Sequence, residues 1–320
     1  MKAGHGLGLV ADIGGTNARF ALVEIDGDHR RLITAEHLSC ADYPTFEDSL
    51  IAYLRRVGAA PRLGVVAAAG AVRKNSVRFT NSGWHITPES LAHAGFGAFR
   101  LVNDYAAQAM ALPLLDASRL FAIGPLASIG DGNLAVLGPG SGLGVAALIR
   151  KQGGDVAVAT EGGHADFAPV DALEGEILRL LSERFGRVSN EILLSGSGLS
   201  RLHDVLQNID GLDDQELPAS EITERGLSGD HRCHETLLRF CSVLGSVAGN
   251  VALTLGATGG VFLAGGIVPR LLSILPDSAF RARFEAKQPM TDWVTAVPTL
   301  VITDTDSALF GAARLLNAPS

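Results

Sequence analysis

The sequence predicts a mixed α/β protein built from two lobes. Three observations carry that prediction. The chain has 320 residues with 47% hydrophobic content, enough to bury more than one core. Apolar runs of strand length alternate with helix-like runs. Two glycine-rich turns, each set between apolar strands, suggest two half-structures of like design. Strands are expected near residues 7–13, 18–25, 32–38, 62–69, 76–80 and 99–103.

The first strand runs into LVADIGGTNARF, Leu9 to Phe20. Gly14 and Gly15 permit backbone torsions closed to other residues and let consecutive N–H groups face one anion. Asp12, at the end of the strand, would repel a phosphate and is placed instead to hold a hydrated divalent cation. Thr16, Asn17 and Arg19 complete the turn. The chain then continues as Phe20-Ala21-Leu22-Val23, a second strand rather than a helix. A Walker loop and a dinucleotide fingerprint both open a helix, so both are excluded. What remains is a β-hairpin whose tip grips phosphate.

A helix from Thr45 to Val57 follows from Pro44 before it, Glu47 and Asp48 in its first turn, Leu50, Ile51 and Leu54 on one face, Arg55 and Arg56 near its end, and Gly58 to stop it. Asp104 comes after the apolar run Phe99-Arg100-Leu101-Val102 and before the helix-like Tyr105 to Met110. It should stand at the carboxyl end of a strand, where α/β folds expose ligand sites. From position alone it is either a general base or the cap of the next helix.

Leu134 to Ile149, LAVLGPGSGLGVAALI, repeats the order strand, glycine-rich turn, strand, with Gly138, Gly140, Ser141, Gly142 and Gly144. One such turn is ordinary punctuation, whereas two of the same form, one carrying Asp, Thr, Asn and Arg, point to phosphate. A helix after Asp171 shows an apolar stripe of Leu173, Ile177, Leu180 and Leu181, and a long one is expected from His231 to Leu255. Val251 to Val268 is free of charge for 18 residues, but five glycines divide it into a helix end, a turn and the strand Val261 to Ala264, so it reads as soluble core. Asp304 and Asp306 precede a last helix, Ser307 to Asn317, and read as its caps.

A net charge of −8 and the lack of any Lys/Arg run give no reason to bind nucleic acid. Cys40, Cys233 and Cys241 are odd in number and far apart, which points to a reducing compartment. His231, Cys233 and His234 match no zinc spacing. The amino terminus lacks the basic and then apolar pattern of a signal peptide, so a cytoplasmic protein with no membrane partner is expected.

The paired turns DIGGTNAR and GPGSGLG resemble the two phosphate motifs of the sugar-kinase, actin and Hsp70 superfamily. Four further stretches narrow the resemblance to bacterial glucokinases of the hexokinase-like kind. They are Leu101 to Tyr105, Glu161 to Pro169, Ser189-Asn190-Glu191 with Leu194-Ser195-Gly196, and Gly259 to Arg270. All stand in the family's order, over residues 9 to about 315.

The resemblance implies a two-lobed actin-like ATPase (ribonuclease H-like) fold, with a cleft between a small domain, residues 1–110 plus 305–320, and a large one, residues 111–304. It implies ATP-dependent phosphorylation of glucose at the 6-hydroxyl, with Asp104 as general base. Asn103, Glu161, His164 and Glu191 match its sugar-binding positions, where carboxylates and amides can each engage neighbouring hydroxyls. Taken singly, His164 would be a structural histidine and Glu191 a first-turn residue after a Ser189 cap. Asp12, Gly14, Gly15, Thr16, Asn17, Arg19, Gly138, Gly140, Ser141 and Gly142 would hold the phosphates of ATP, with Mg²⁺ bound through water to Asp12. Gly265 and Gly266 would leave space for the adenosine, or else serve close strand–helix packing. The partners implied are glucose and ATP, in a homodimer.

Thr80 to Trp84 resembles a further segment near the sugar, with Trp84 open between that role and the core. Ser141 stands where the family more often has Thr, and residue 71, alanine here, lacks a common proline. The lack of a Cys-rich zinc motif favours this branch over the ROK sugar kinases. The rivals are a kinase of another hexose or amino sugar, a non-catalytic sugar-binding protein and a sugar-sensing transcription factor. The last is disfavoured because the first hairpin begins by residue 9 and leaves no room upstream for a DNA-binding domain.

Overall fold

The structure is a computed structural model that describes residues 6–70, 72, 74–79, 83–93, 98–212 and 217–316. Ala71, residues 80–82 of the expected sugar-side segment, and Asn317 of the last helix lie outside the described residues. The chain forms two compact units: unit 1 comprises Met1–Asp116, Lys151–Ala159 and Asp304–Ser320, and unit 2 comprises Ala117–Arg150 and Thr160–Thr303.

Unit 1 contains β1 (Gly6–Ile13), β2 (Asn17–Asp26), β3 (His29–Ser39), α1 (Phe46–Val57), β4 (Leu63–Ala68), β5 (Val77–Arg78), β6 (His85–Ile86), α2 (Pro88–His93), β7 (Ala98–Asn103) and α3 (Asp104–Ala111). Its main sheet runs β3-β2-β1-β4-β7. The first two pairings are antiparallel, and β1–β4 and β4–β7 are parallel. Both faces of the central strands are covered, which is why they read as unbroken apolar runs. Leu9, Ala11 and Ile13 point into a core with Phe46, Leu50 and Tyr53 of α1, while Val10 points the other way, into a core shared with Ala107 of α3 and with Leu309 and Ala312. These last two belong to the helix Ser307–Arg314 near the carboxyl terminus. A Cβ at Gly311 would strike the Ala107 carbonyl, so the two helices meet backbone to backbone.

Thr45 caps α1 by accepting the Asp48 N–H at 3.1 Å, and Gly58, left-handed at φ 64°, ends it. The buried stripe is Phe46, Leu50 and Tyr53 rather than Leu50, Ile51 and Leu54. Tyr53 stacks on Phe20 at 5.3 Å and donates its hydroxyl to the Thr34 carbonyl, so a polar tip did not prevent burial. The strand expected over 76–80 is only β5, in an antiparallel pair with β6. Trp84 belongs to the core: it is buried, edge-on to Phe46, and its indole N–H reaches the Tyr43 carbonyl.

In chain order the elements that follow are β8 (Leu120–Ile123), β9 (Leu134–Pro139), β10 (Leu143–Ile149), β11 (Val156–Thr160), α4 (Ala172–Phe185), α5 (Asn190–Leu193), α6 (Gly196–Ile209), α7 (Ala219–Leu227), α8 (His231–Leu255), β12 (Gly260–Leu263), α9 (Phe280–Glu285), α10 (Thr291–Thr295), β13 (Thr299–Ile302) and α11 (Ser307–Arg314). In unit 2 the strands lie in the order β10-β9-β12-β13-β8. As in unit 1, an antiparallel hairpin continues into parallel strands.

Helix α8 has the predicted bounds, capped by Asp230 at one end and by left-handed Gly256 at the other. Among the described residues it is the one helix long and apolar enough to cross a membrane, and 78% of its apolar window is buried in the protein. The uncharged stretch divides as expected, into the end of α8, a turn and β12. On α4, Ile177 and Leu181 are buried, but so is Glu174, fully. Arg283 at 2.6 Å and Arg239 at 3.2 Å compensate its charge, as a buried carboxylate requires.

Candidate active site

In unit 1 the sheet register assembles the charged residues. β1 places Asp12 opposite Arg19, and β2 places Arg19 opposite His37, a row across three strands. Arg19 Nη1 donates to Asp12 Oδ2 at 2.8 Å, while Arg19 Nε is buried without a partner. His37 Nε2 lies 2.8 Å from Asp306 Oδ1. Burial pushes the Asp12 carboxyl above its ordinary range; Arg19 opposes that shift and the charge of Asp306 adds to it. The expected capping by Asp306 is not what the structure shows. It occupies the N-cap position of α11 without a side-chain capping bond, because its carboxylate is engaged with His37. Asp304 holds the turn instead, accepting the Asp306 N–H at 2.7 Å.

The tip of the first hairpin is closed by Gly14 N–H on the Asn17 carbonyl at 2.9 Å. Cys40 ties it down from β3's end, with its N–H on Thr16 O and its thiol on Gly14 O. Neither Gly14 nor Gly15 is left-handed, so the expectation of torsions closed to other residues is corrected. The tip is bare at Gly14, where a Cβ would meet only Asn17 O, at 3.5 Å. Thr16 and Asn17 are exposed there.

Strand β7 ends at Asn103 and α3 begins at Asp104. The cap is Asn103, whose Oδ1 accepts the Ala106 N–H at 3.1 Å and whose Nδ2 donates to the Gly70 carbonyl. Asp104 is therefore not the capping residue; its Oδ1 accepts the Tyr105 N–H at 2.9 Å. Burial raises the Tyr105 phenol above its ordinary range, and the charges of Asp104 and Asp12 add to the shift, so this ring stands near both acids.

In unit 2 the turn Gly162–His164 brings Glu161, His164 and Glu191 together. His164 Nε2 is 4.0 Å from Glu161 Oε2, and His164 Nδ1 is 3.8 Å from Glu191 Oε1. At such distances none of the three is tied to another by a hydrogen bond. Glu161 and His164 are exposed and Glu191 partly so, a cluster facing solvent with its acceptors open to hydroxyls. Two segments are zipped together to make it, with Phe167 N–H on Val188 O and Asn190 N–H on Ala165 O. Arg187 adds bonds to Asp166 and to the His164 carbonyl. A Cβ at Gly163 would strike the Leu143 carbonyl, which explains that glycine. Ser189 stands at the N-cap of α5 without a side-chain capping bond, and Glu191 lies in the first turn, with its carboxylate turned to other work.

The second glycine turn, Gly140 to Gly142, adjoins this cluster. Glu191 Oε2 accepts the Leu143 N–H at 2.8 Å, Gly140 N–H reaches Gly142 O, and Gly196 N–H reaches Gly140 O. Beside it, Gly265 is left-handed at φ 82° and packs so closely on Pro139 that a Cβ would strike the Pro139 carbonyl, whereas Gly266 faces open space. The helix expected after these glycines is only a short 3₁₀ turn, Val268–Leu271.

Among the described residues no group of three or more His, Cys, Asp or Glu could hold a metal ion. A hydrated cation at Asp12, whose Oδ2 is taken by Arg19, would be held through water at the other oxygen and draw its remaining ligands from water and phosphate, which suits Mg²⁺.

The model of the family described as Glucokinase matches residues 9–319. The chain belongs to the glucokinase family. The glucokinase of Caulobacter sp. (strain K31) is 51% identical over 310 residues, 96% of this chain and 94% of that one. The crystal structure of a glucokinase from an Antarctic psychrotroph has 35% identity and a TM-score of 0.87, covering 98% of this chain and 99% of that one. A ROK family glucokinase from Streptomyces griseus, solved with glucose and AMPPNP, shares the fold at 20% identity and a TM-score of 0.66, covering 97% and 99%. The fold is thus the two-lobed actin-like one of these sugar kinases.

For a glucokinase, four residues beside this site were not singled out as site residues by the sequence. Cys40 and His37 are brought to the first turn by the β2–β3 register; Tyr105 ends a family stretch but was given no role of its own, and Arg187 is a single polar residue with no pattern around it. Only the parity of β3 against β2, which sets His37 beside Arg19, could have signalled one of them.

Proposed function

We propose a division of labour for the reaction that membership of the glucokinase family gives this chain, transfer of the γ-phosphoryl group of ATP to glucose at its 6-hydroxyl. Asp104 accepts the proton of that hydroxyl as the bond to phosphorus forms. Glu161, His164 and Glu191 of unit 2, with Asn103 of unit 1, recognise the sugar by its hydroxyl pattern. The turns Gly14 to Asn17 and Gly140 to Gly142, with Arg19 and Gly138, hold phosphate, and Gly265 and Gly266 border the adenosine. When bound near Asp12 through water, Mg²⁺ supplies positive charge between the phosphates. The domain assignment and a cytoplasmic homodimer without nucleic acid or membrane partners stay part of the proposal. The three buried, unpaired cysteines support its reducing compartment.

The observation that carries the reading is Glu191. One of its oxygens faces His164 in the hydroxyl-binding cluster and the other bonds to the second glycine turn, so a polyol site and a phosphate site share one side chain. That arrangement suits a sugar kinase and has no use in a sugar sensor. The glucose and AMPPNP of the Streptomyces griseus relative support the choice of substrates.

ADP release measured with glucose, mannose, fructose, glucosamine and N-acetylmannosamine tests the substrate. Glucose should dominate; dominance of another sugar would displace it. Asp104→Ala should leave glucose binding largely intact and lower turnover about a hundred- to ten-thousand-fold. Unchanged turnover would remove Asp104 from the mechanism.

A further inference from the structure

The peptide that joins Gly142 to Leu143 is fixed at both ends. Its carbonyl accepts the Gly140 N–H at 2.8 Å, and its N–H donates to Glu191 Oε2 at 2.8 Å. The peptide that joins Gly140 to Ser141 has its carbonyl held by Gly196 N–H, also at 2.8 Å. A peptide is planar, with its N–H and C=O pointing opposite ways, so holding one end aims the other. Ser141 N–H is thereby directed away from Gly196, and the N–H groups of Ser141 and Gly142 stay out of this bonding. We infer that Glu191 is a positioning residue for the nucleotide: its carboxylate holds the second glycine turn in the shape that presents these N–H groups to phosphate, in addition to its part in sugar recognition. The inference rests on reading that turn as a phosphate site.

Two opposed effects decide the outcome. The carboxylate repels a phosphate, but its side chain is 33% exposed and water screens that repulsion. The bond to Leu143 N–H is short and charge-assisted, and its loss frees a peptide that the turn depends on. Positioning should therefore outweigh repulsion. Gly142 offers an independent way to displace the carboxylate. A Cβ there would land on Glu191 Oε2, the far end of a flexible side chain, so Gly142→Ala should fold and push the carboxylate off its bond.

The test is calorimetric titration of AMPPNP without sugar, with melting temperature as the folding control. Glu191→Ala should weaken AMPPNP about fivefold or more. Glu191→Gln, whose amide oxygen can still accept the Leu143 N–H, should bind AMPPNP at least as tightly as the unaltered chain while losing glucose affinity. Gly142→Ala should match Glu191→Ala, with no further loss in the double variant. Unchanged AMPPNP affinity in Glu191→Ala, an equal loss in Glu191→Gln, or additive losses in the double variant would overturn the inference. Failure of the unaltered chain to bind AMPPNP at all would instead overturn the phosphate reading of the turn, and this inference with it.

Discussion

The two glycine turns look alike in sequence and are held by opposite means. The first, at the tip of β1 and β2, is surrounded by ionisable side chains: Asp12 paired with Arg19 in the sheet, with His37 and Asp306 bonded next to them. The second, between β9 and β10, is neutral itself and is held by backbone groups and the single carboxylate of Glu191. The difference teaches that one local device, a bare hairpin tip between apolar strands, takes its function from what the neighbouring strands and loops bring to it. Under the proposed division of labour, unit 1 would bring charge for the phosphoryl group and a base for the hydroxyl, and unit 2 most of the sugar recognition. Variants in unit 1 should then act on turnover, and variants in unit 2 on affinity.

Asp12→Asn should break the comparison most severely. Asparagine can still accept from Arg19 but no longer attracts a hydrated cation, so kcat should fall about a hundredfold or more with glucose affinity little changed. The same substitution has a stability consequence of definite sign. Burial holds the folded pKa of Asp12 above its ordinary value of 3.8, so the folded chain binds the proton more tightly than the unfolded one. Its contribution is fully present below pH 3.8 and is lost as pH rises through the folded value. Asp12→Asn should remove that loss, leaving the apo protein at least as stable to urea at pH 7 as the unaltered chain. Retained turnover at saturating Mg²⁺ would show that the first turn does not differ from the second through its acid.

Glu161→Gln sharpens the other side. Glu161 bonds to neither partner in its cluster and is exposed, so the change should not disturb the fold. It should weaken glucose binding about tenfold by exchanging a charged acceptor for a neutral one, with a smaller effect on kcat. A normal dissociation constant with reduced kcat would move Glu161 out of the recognition set and blur the division between the units.

Much of this was legible in the sequence because it rests on local pattern. Periodicity and capping gave α1 and α8 to within a residue, and the strand–turn–strand order gave both hairpins. Errors arose where a neighbour distant in the chain decides. Asp306 reads as a cap until β3 brings His37 to it, and the stripe of α4 says nothing of Glu174, whose burial depends on Arg239 and Arg283 from other helices. Gly14 and Gly15 read as permitting torsions closed to other residues, whereas neither takes a positive φ here. The cluster of Glu161, His164 and Glu191 was legible through family motifs alone, since the segment pairing that joins residues 165–167 to 188–190 has no periodic signature.

The smallest predicted effect tests whether the turns depend on the cores beneath them. Asp230 caps α8, accepting the Cys233 N–H at 3.0 Å, and is paired with Arg225. Those contacts, the backbone one first, lower its pKa from 3.8 to about 2. A depressed carboxyl stabilises the fold above its unfolded value, and that contribution is lost as pH falls from 3.8 toward 2. Asp230→Ala should therefore cost about 1 kcal/mol at pH 7 and flatten the acid limb of the stability curve, as read by urea unfolding at several pH values. Because α8 ends far along the chain from both turns, kcat and the glucose dissociation constant should stay within about twofold. A larger loss of affinity than of stability would mean that the helix cap, and not the cluster around His164 alone, sets the geometry of the sugar site.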